Sequence, residues 1–324
     1  MLKSKEIPLQ VISTMHVADD HNSYRSDGSF KRTISFASKL YSVNVIDTVN
    51  SFFQVDLRLY VSWTVETGDD WEPCYKDNFY FYDALVEPLI TDTSMTEKNK
   101  NGTLKKNWRF NVQIPKDFDL KYFPSDSQIL LIKIRVPRVD QHRIASVQLA
   151  PVSERYEMTD IGSVRSTWRA TKCFKETVHL LSPKETNTKP ELHIEIFVSR
   201  KSGYYIKNIV LPNALLTSLG FSILLLDTND LTSRMNVIIT LLLAVIAFKF
   251  ATSASVPVLS YDTSLDSYLV VLYYLLFSMG MESMLIYKLS DNVAQTINEV
   301  FSISAASVFV VYHVYWCIRF YFSQ

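Results

Sequence analysis

The chain has 324 residues with 33 basic and 33 acidic side chains, a formal net charge of zero and 48% apolar residues. Such a balance excludes the strongly positive field of a nucleic-acid binder, so nucleic acid is not an expected partner. Three scattered cysteines, Cys74, Cys173 and Cys317, exclude a disulfide framework and any CxxC centre, while spacing leaves one Cys74–Cys173 pairing open.

Charge is unevenly placed: 54 of the 66 charged residues lie in residues 1–202 and 12 in the last 122, so a polar half precedes an apolar one. The chain starts MLKSKEIPLQ without the apolar core of a secretory signal, which leaves either a removed leader or targeting by the first membrane helix. Residues 1–31 are polar and broken by DDHNS and SDGS, the texture of a loosely structured start or one peripheral element. From Lys31 to Trp63 short apolar runs take over. Val43 and Val45, then Phe53, Val55, Leu57, Leu59, Val61 and Trp63, alternate with polar residues, which predicts strands with one buried face and a turn at DTVNS. The same texture recurs over 78–91, 104–114, 128–137, 143–149, 164–181 and 191–199, with turn-forming stretches such as TEKNKNG and SPKETNTKP between. Many short strands at this spacing predict an immunoglobulin-like β-sandwich, one domain over residues 1–202.

Residues 203–324 predict an all-α four-helix domain, with segments 205–226, 235–256, 267–289 and 300–322 each about long enough to span hydrocarbon. Connections of about ten residues or fewer force antiparallel neighbours, so the sandwich and the C-terminus share one side of the membrane. Lys and Arg do not say which side: Arg200, Lys201 and Lys207 flank one face, Arg234 and Lys288 the other. Glu282, His313 and Arg319 within spans are costly if they face lipid, and near helix ends such residues snorkel or pair.

The second span, within LTSRMNVIITLLLAVIAFKFATSASVP, is almost free of charge, yet its polarity is one-sided. Asn236, Thr240, Leu243, Ala247 and Phe250 recur at alternating steps of four and three, which places them on one stripe of a helix. A ring of such helices has a wettable throat at one end and an apolar constriction beyond it. Taken alone, the stripe favours a bundle helix whose small and polar residues only pack and hydrogen-bond against neighbours.

Enzyme signatures are missing: there is no HExxH, GxxxxGK, GxSxG or GxGxxG, and no cofactor is expected. The six histidines never fall at helical ligand spacing, so no metal site is expected either. Asn101-Gly102-Thr103 is a sequon with meaning only in a glycosylating host.

The stretch DFDLKYFPSDSQILLIKIR, Asp117 to Arg135, carries Phe123, Pro124, Asp126 and Gln128 in the order of the FPFDxQ signature of the pentameric ligand-gated ion channels, the Cys-loop receptor superfamily. Ser125 replaces the second Phe. Further matches keep the family's order. Val45-Ile46-Asp47, Phe53-Gln54-Val55-Asp56 and Trp63 look like its first two strands, and Glu87-Pro88 like its WxP turn with Val86 for Trp. Arg200, Tyr204-Tyr205 and Val210-Leu211-Pro212 look like its approach to the first membrane helix, and Val256-Pro257 with Tyr261 like the link after the second. The resemblance covers roughly residues 32–322. It departs where the two loop cysteines would fall at Lys116 and Leu130, and where a short third connection leaves no room for a large cytoplasmic domain. Both departures resemble minimal, bacterial-type members.

The resemblance implies a homopentamer, each chain with four further copies around a central pore, in a cell membrane with the N-terminal domain and C-terminus extracellular or periplasmic. Membrane lipid, permeant ions and a small-molecule or proton agonist are the partners it implies. Asn236 and Thr240 would make polar rings near the cytoplasmic mouth, Leu243 a gate by dewetting, and Ala247 and Phe250 its apolar extension. At the mouth the family's selectivity Glu is replaced by Ser233, while Asp227 and Asp230 offer negative charge, which favours cations over the anion alternative. Coupling falls to Asp47, Phe123, Pro124, Asp126, Arg200, Pro257 and Tyr261, with Arg200 and Asp126 as an ion pair. An aromatic cage for amines is not expected, because the tip between Leu181 and Leu192 has no aromatic residue, and Arg58 with Arg138 are the candidate anion contacts. A membrane-anchored adhesion module and a membrane enzyme are the competing classes; the first gives no reason for the stripe and the second has no motif.

Overall fold

Alternation of apolar and polar residues draws the first half of the chain into two facing sheets. The computed structural model describes residues 32–64, 72–98, 103–136, 144–149, 162–181, 189–253 and 259–322. Ten strands are β1 (Arg32–Asp47), β2 (Phe52–Thr64), β3 (Tyr80–Phe81), β4 (Leu89–Thr93), β5 (Glu97–Lys98), β6 (Thr103–Pro115), β7 (Ser127–Arg135), β8 (Ile144–Leu149), β9 (Trp168–Leu181) and β10 (Lys189–Arg200). One sheet runs β4-β6-β2-β1-β8, with β5 beside β6, and the other β3-β7-β10-β9. Every pairing is antiparallel except β1 with β8.

The core lies between the sheets. Phe53, Val55, Leu57, Leu59, Val61 and Trp63 on β2 are all buried, as their alternation predicts, and they meet Leu130, Ile132 and Ile134 of β7 and Ile194, Ile196 and Val198 of β10 in one cluster. Phe81 of one sheet stands edge-on to Phe110 of the other, with centroids 5.1 Å apart, a favourable arrangement for aromatic quadrupoles.

Three strand expectations need correction. Val43 and Val45 do not share a face: the register of β1 against β2 shifts between them, so Val43 is buried and Val45 exposed. An extra residue in one strand reverses the side of everything beyond it. The run 78–91 is not one strand but β3 and the start of β4, which belong to different sheets, with the turn to Pro88 crossing between them. The run 164–181 opens as a 3-10 turn over Gly162–Ser166 before β9 begins. Cys74 is a free, exposed thiol, so the Cys74–Cys173 pairing is not made.

After Arg200 four helices follow, each long and apolar enough to cross a membrane: α1 (Gly203–Leu225), α2 (Leu231–Ser253), α3 (Ser264–Ile286) and α4 (Asp291–Phe322). The chain is a multi-pass membrane protein. Each helix begins earlier than its apolar run, and at two of the four starts a side-chain cap is formed. Thr263 and Asp266 form a reciprocal capping box for α3, and Asp230 accepts the Ser233 amide at the start of α2, satisfying donors that have no partner within a helix. In α1 the ladder is π-type over Ile206–Val210, just before Pro212, a residue with no N–H to donate to the preceding turn.

Gly220 marks the closest approach of α1 to the bundle, since an added Cβ would lie 2.8 Å from Leu276 Cδ2 and 3.4 Å from Met279 Sδ. Gly220→Leu is therefore expected to destabilise the helical domain by about 1–3 kcal/mol through overpacking, read as a lower unfolding midpoint in detergent. An unchanged midpoint would mean that α1 and α3 part freely there.

Candidate functional site

The second helix has two distinct faces. Arg234, Ile238, Leu241 and Val245 are buried against the rest of the bundle, whereas Asn236, Thr240, Leu243, Ala247 and Phe250 are all exposed. Leu243 is 62% and Phe250 73% exposed. The five stripe residues thus lie together on the exposed face of the helix. An amide and a hydroxyl on such a face need water or another protein surface, because hydrocarbon offers no partner for them. Thr240 turns its hydroxyl hydrogen back to the Asn236 carbonyl at 2.7 Å, leaving its oxygen lone pairs outward.

At the end of α2 away from the sandwich, Asp227 and Asp230 are exposed and Ser233 half-buried. Hydrogen bonds from the Ser233 hydroxyl and amide hold the Asp230 carboxyl below the usual range, so it is ionised as the helix cap. Arg234 is not at this mouth. Its side chain is fully buried, with Nη2 donating to Glu282 Oε2 at 3.2 Å and to Asn298 Oδ1 at 2.7 Å. Asn298 Nδ2 in turn donates to the Leu224 carbonyl at the end of α1, and the Ser283 hydroxyl reaches Glu282 Oε2 at 3.3 Å. One polar network therefore joins all four membrane helices. Glu282, read from sequence only as a residue that snorkels or pairs, pairs across α2 and α3. The other two in-span residues have partners as well: His313 lies against the Tyr268 hydroxyl at 3.0 Å, and Arg319 donates to the Ser264 hydroxyl at 2.9 Å.

The junction between sandwich and helices assembles most of the expected coupling residues. Arg200 Nε donates to Asp126 Oδ1 at 2.7 Å and Nη2 to Oδ2 at 3.3 Å, and both side chains are almost fully buried. The guanidinium lies 4.3 Å from the Trp168 ring centre and 5.1 Å from that of Phe123, within reach of a cation–π attraction. Gln128 donates to Asp126 and to the Asp119 carbonyl, tying across the loop that has no disulfide. Phe123, joined to Pro124 by a cis peptide bond, stands edge-on to Tyr205 of α1 at 4.7 Å. The Leu120 amide donates to the Tyr261 hydroxyl, and the Ser264 amide at the start of α3 to the Lys121 carbonyl. Asp47 behaves differently: its carboxylate accepts the Val49 and Asn50 amides and the Asn50 side chain, within its own turn. Those bonds, the Asn50 amide foremost, hold its pKa below the ordinary carboxylate value. Pro257 lies outside the described residues.

Of the two anion contacts, Arg138 lies outside the described residues and Arg58 is already engaged. Arg58 pairs with Asp92 and faces the Tyr41 ring, which Arg109 also covers at 4.4 Å while bidentate to Asp56. Lys39, Arg58 and Arg109 stand opposite one another across β1, β2 and β6, and like charges in such a row repel unless carboxylates intervene. On the other sheet Glu191 is buried beneath Arg135 and His193, accepting Arg135 Nε at 2.6 Å, with the Arg135 guanidinium 3.5 Å from the Tyr82 ring centre. Sequence reasoning missed this cluster, because only the β7–β10 register brings residues 56 positions apart together. No model of a known protein family matches the chain.

Two outcomes follow from these geometries. Asp126→Ala is expected to lose about 3–5 kcal/mol, as removal of one partner of a buried pair does, seen in the unfolding midpoint in detergent. Exchanging the charges, Asp126→Arg with Arg200→Asp, should not recover it, because Gln128 donates to the first site and two rings face the second; full recovery would reduce the pair to its charges alone. For Glu191, burial raises the carboxyl pKa, but hydrogen bonds from His193 and Arg135 outweigh it and the net shift is below the ordinary 4.5. A lowered folded-state pKa gives stability that is full above the unfolded value and lost as pH falls through the folded one. Glu191→Gln should therefore flatten the acid limb of midpoint against pH below 4.5; an unaltered limb would refute the assignment.

Proposed function

We propose that the chain is one subunit of a homopentameric ligand-gated ion channel, selective for cations and opened by a stimulus sensed in the sandwich domain. The observation that carries this reading is the uncovered stripe Asn236, Thr240, Leu243, Ala247 and Phe250 on α2, opposite the row that packs into the bundle. One helix cannot enclose water, so several copies must present that stripe to a shared pathway, with α1, α3 and α4 between it and lipid. Asn236 and Thr240 then form wettable rings, and Leu243 with Ala247 and Phe250 an apolar stretch that closes by dewetting.

Two further features support it. The Phe123–Tyr205 contact, beside the Arg200–Asp126 pair, and the bonds of Leu120 and Lys121 with Tyr261 and Ser264 join the sandwich both to the start of α1 and to the segment between α2 and α3. A shift in the sandwich therefore bears on the stripe helix from both neighbours. With Arg234 withdrawn, Asp227 and Asp230 stay exposed at that end of α2, beside Asp291, to which Asn229 donates, and Lys288 in the α3–α4 connection, and a net fixed negative charge there raises the local cation concentration. On this reading the sandwich and the C-terminus lie on the extracellular or periplasmic side of a cell membrane.

Cysteines placed along the stripe test the central step. Water-borne thiol reagents are expected to modify positions 236, 240 and 243 in at least one state and to block current, whereas complete protection of the row in the assembled protein would remove the pathway. Leu243→Ser should favour the open state, raising resting open probability about tenfold, an effect of about 1.4 kcal/mol, in single-channel or whole-cell recordings. Unchanged resting current and agonist sensitivity would move the gate elsewhere. Sizing in detergent should give about five chains, the number that the resemblance to the pentameric channels implies.

A further inference from the structure

The Arg234 site is unevenly satisfied. Its side chain is 0% exposed, yet of its donors only Nη2 has partners, and Nε and Nη1 have none; Glu282 Oε1 is likewise buried without a partner. A buried guanidinium with two nitrogens unpaired is held chiefly by its counter-ion, since neutral acceptors supply less than a carboxylate does. The alternative place for this charge is close by. Asp230 lies four residues before Arg234 at the start of the same helix, its carbonyl accepting the Arg234 amide and its carboxylate exposed. An acid four residues N-terminal to a base on a helix is the favourable order for a surface pair. Arg side chains near a membrane helix end reach readily for the aqueous edge.

We propose that Glu282, assisted by Asn298, determines ion selectivity by keeping the Arg234 guanidinium out of the ion pathway. This rests on the channel reading above. With Glu282 ionised, the pair is neutral and hidden, and the mouth carries the charge of Asp227 and Asp230. Without the Glu282 charge, Arg234 swings to Asp230 and cancels the negative ring, once per subunit. Glu282 touches no permeant ion; it is a positioning residue, and selectivity rather than stability is the readout that separates this role from mere packing.

Reversal potentials in sodium chloride gradients, recorded for the full-length protein, test it. Glu282→Gln is expected to lower the sodium-to-chloride permeability ratio about fivefold or more, as a unit charge at a wet mouth does. Arg234→Gln combined with Glu282→Gln should return the ratio towards that of the wild type, because the released cation is gone while the vacancy in the network remains. If Glu282→Gln alone does not reach the membrane, co-expression with an excess of wild-type chain gives mixed assemblies, whose ratio should fall by a smaller factor. Wild-type cation currents with no shift in the single variant or the mixed assemblies overturn the inference and leave the channel reading intact. A shift that persists in the double variant also overturns it, since the cause would then be the lost carboxylate and not the moved guanidinium. Absence of current from surface-expressed wild-type protein would instead overturn the channel reading, and this inference with it.

Discussion

A full positive charge stands inside the helical domain, and the bundle is arranged around its neutralisation. Arg234 comes from α2, its carboxylate from α3, its amide acceptor from α4, and that amide is anchored to the last carbonyls of α1. Apolar packing in a bilayer is non-directional and lets helices rotate and slide, because lipid tails are as apolar as the side chains they replace. A buried ion pair adds direction: it fixes the rotation of α2 about its own axis. That rotation is what presents Asn236 and Leu243 away from the bundle, since residues two apart on a helix point about 200° apart.

A second buried charge pair stands at the edge of the sandwich, where β10 leads into α1, and the two pairs differ in completeness. Arg200 is held by two carboxylate contacts, two ring faces and a carboxylate further fixed by Gln128. Arg234 has a single counter-ion contact and unpaired nitrogens. A fully satisfied network rigidifies, whereas a partly satisfied one leaves alternatives close in energy. The pair at the junction is fully bonded and stiff, whereas the pair at the far end of the membrane domain leaves donors unpaired.

What could be read from sequence follows from how local each signal is. The alternation along β2 and the four apolar spans are carried by single segments, and both stand where periodicity places them. Arg200 with Asp126 was legible through a motif that brings distant residues together by resemblance. The β1 bulge was not, because one extra residue leaves no mark in composition, and it placed Val45 on the solvent side. Arg58 reads in sequence as a candidate anion contact because nothing in its own strand shows Asp92, which reaches it through the pairing of β4 with β6 and of β6 with β2. Charge partners across a sheet or a bundle are set by register and rotation, which one sequence does not state.

The same limit explains why Glu282 stayed without a role. A lone carboxylate within an apolar span is expensive wherever it points, and its partner lies 48 residues earlier on another helix. Arg234, for its part, sits beside Asp230 and Ser233 in the chain and so reads as a mouth residue, although its side chain leaves on the opposite face. The helix therefore carries polar groups on two sides near one end: one side is met by partners within the bundle, and the exposed side needs water or another protein surface. A helix that only anchored a domain would need neither, whereas a wall between a packed bundle and an aqueous path, as in the proposed pore, must meet both.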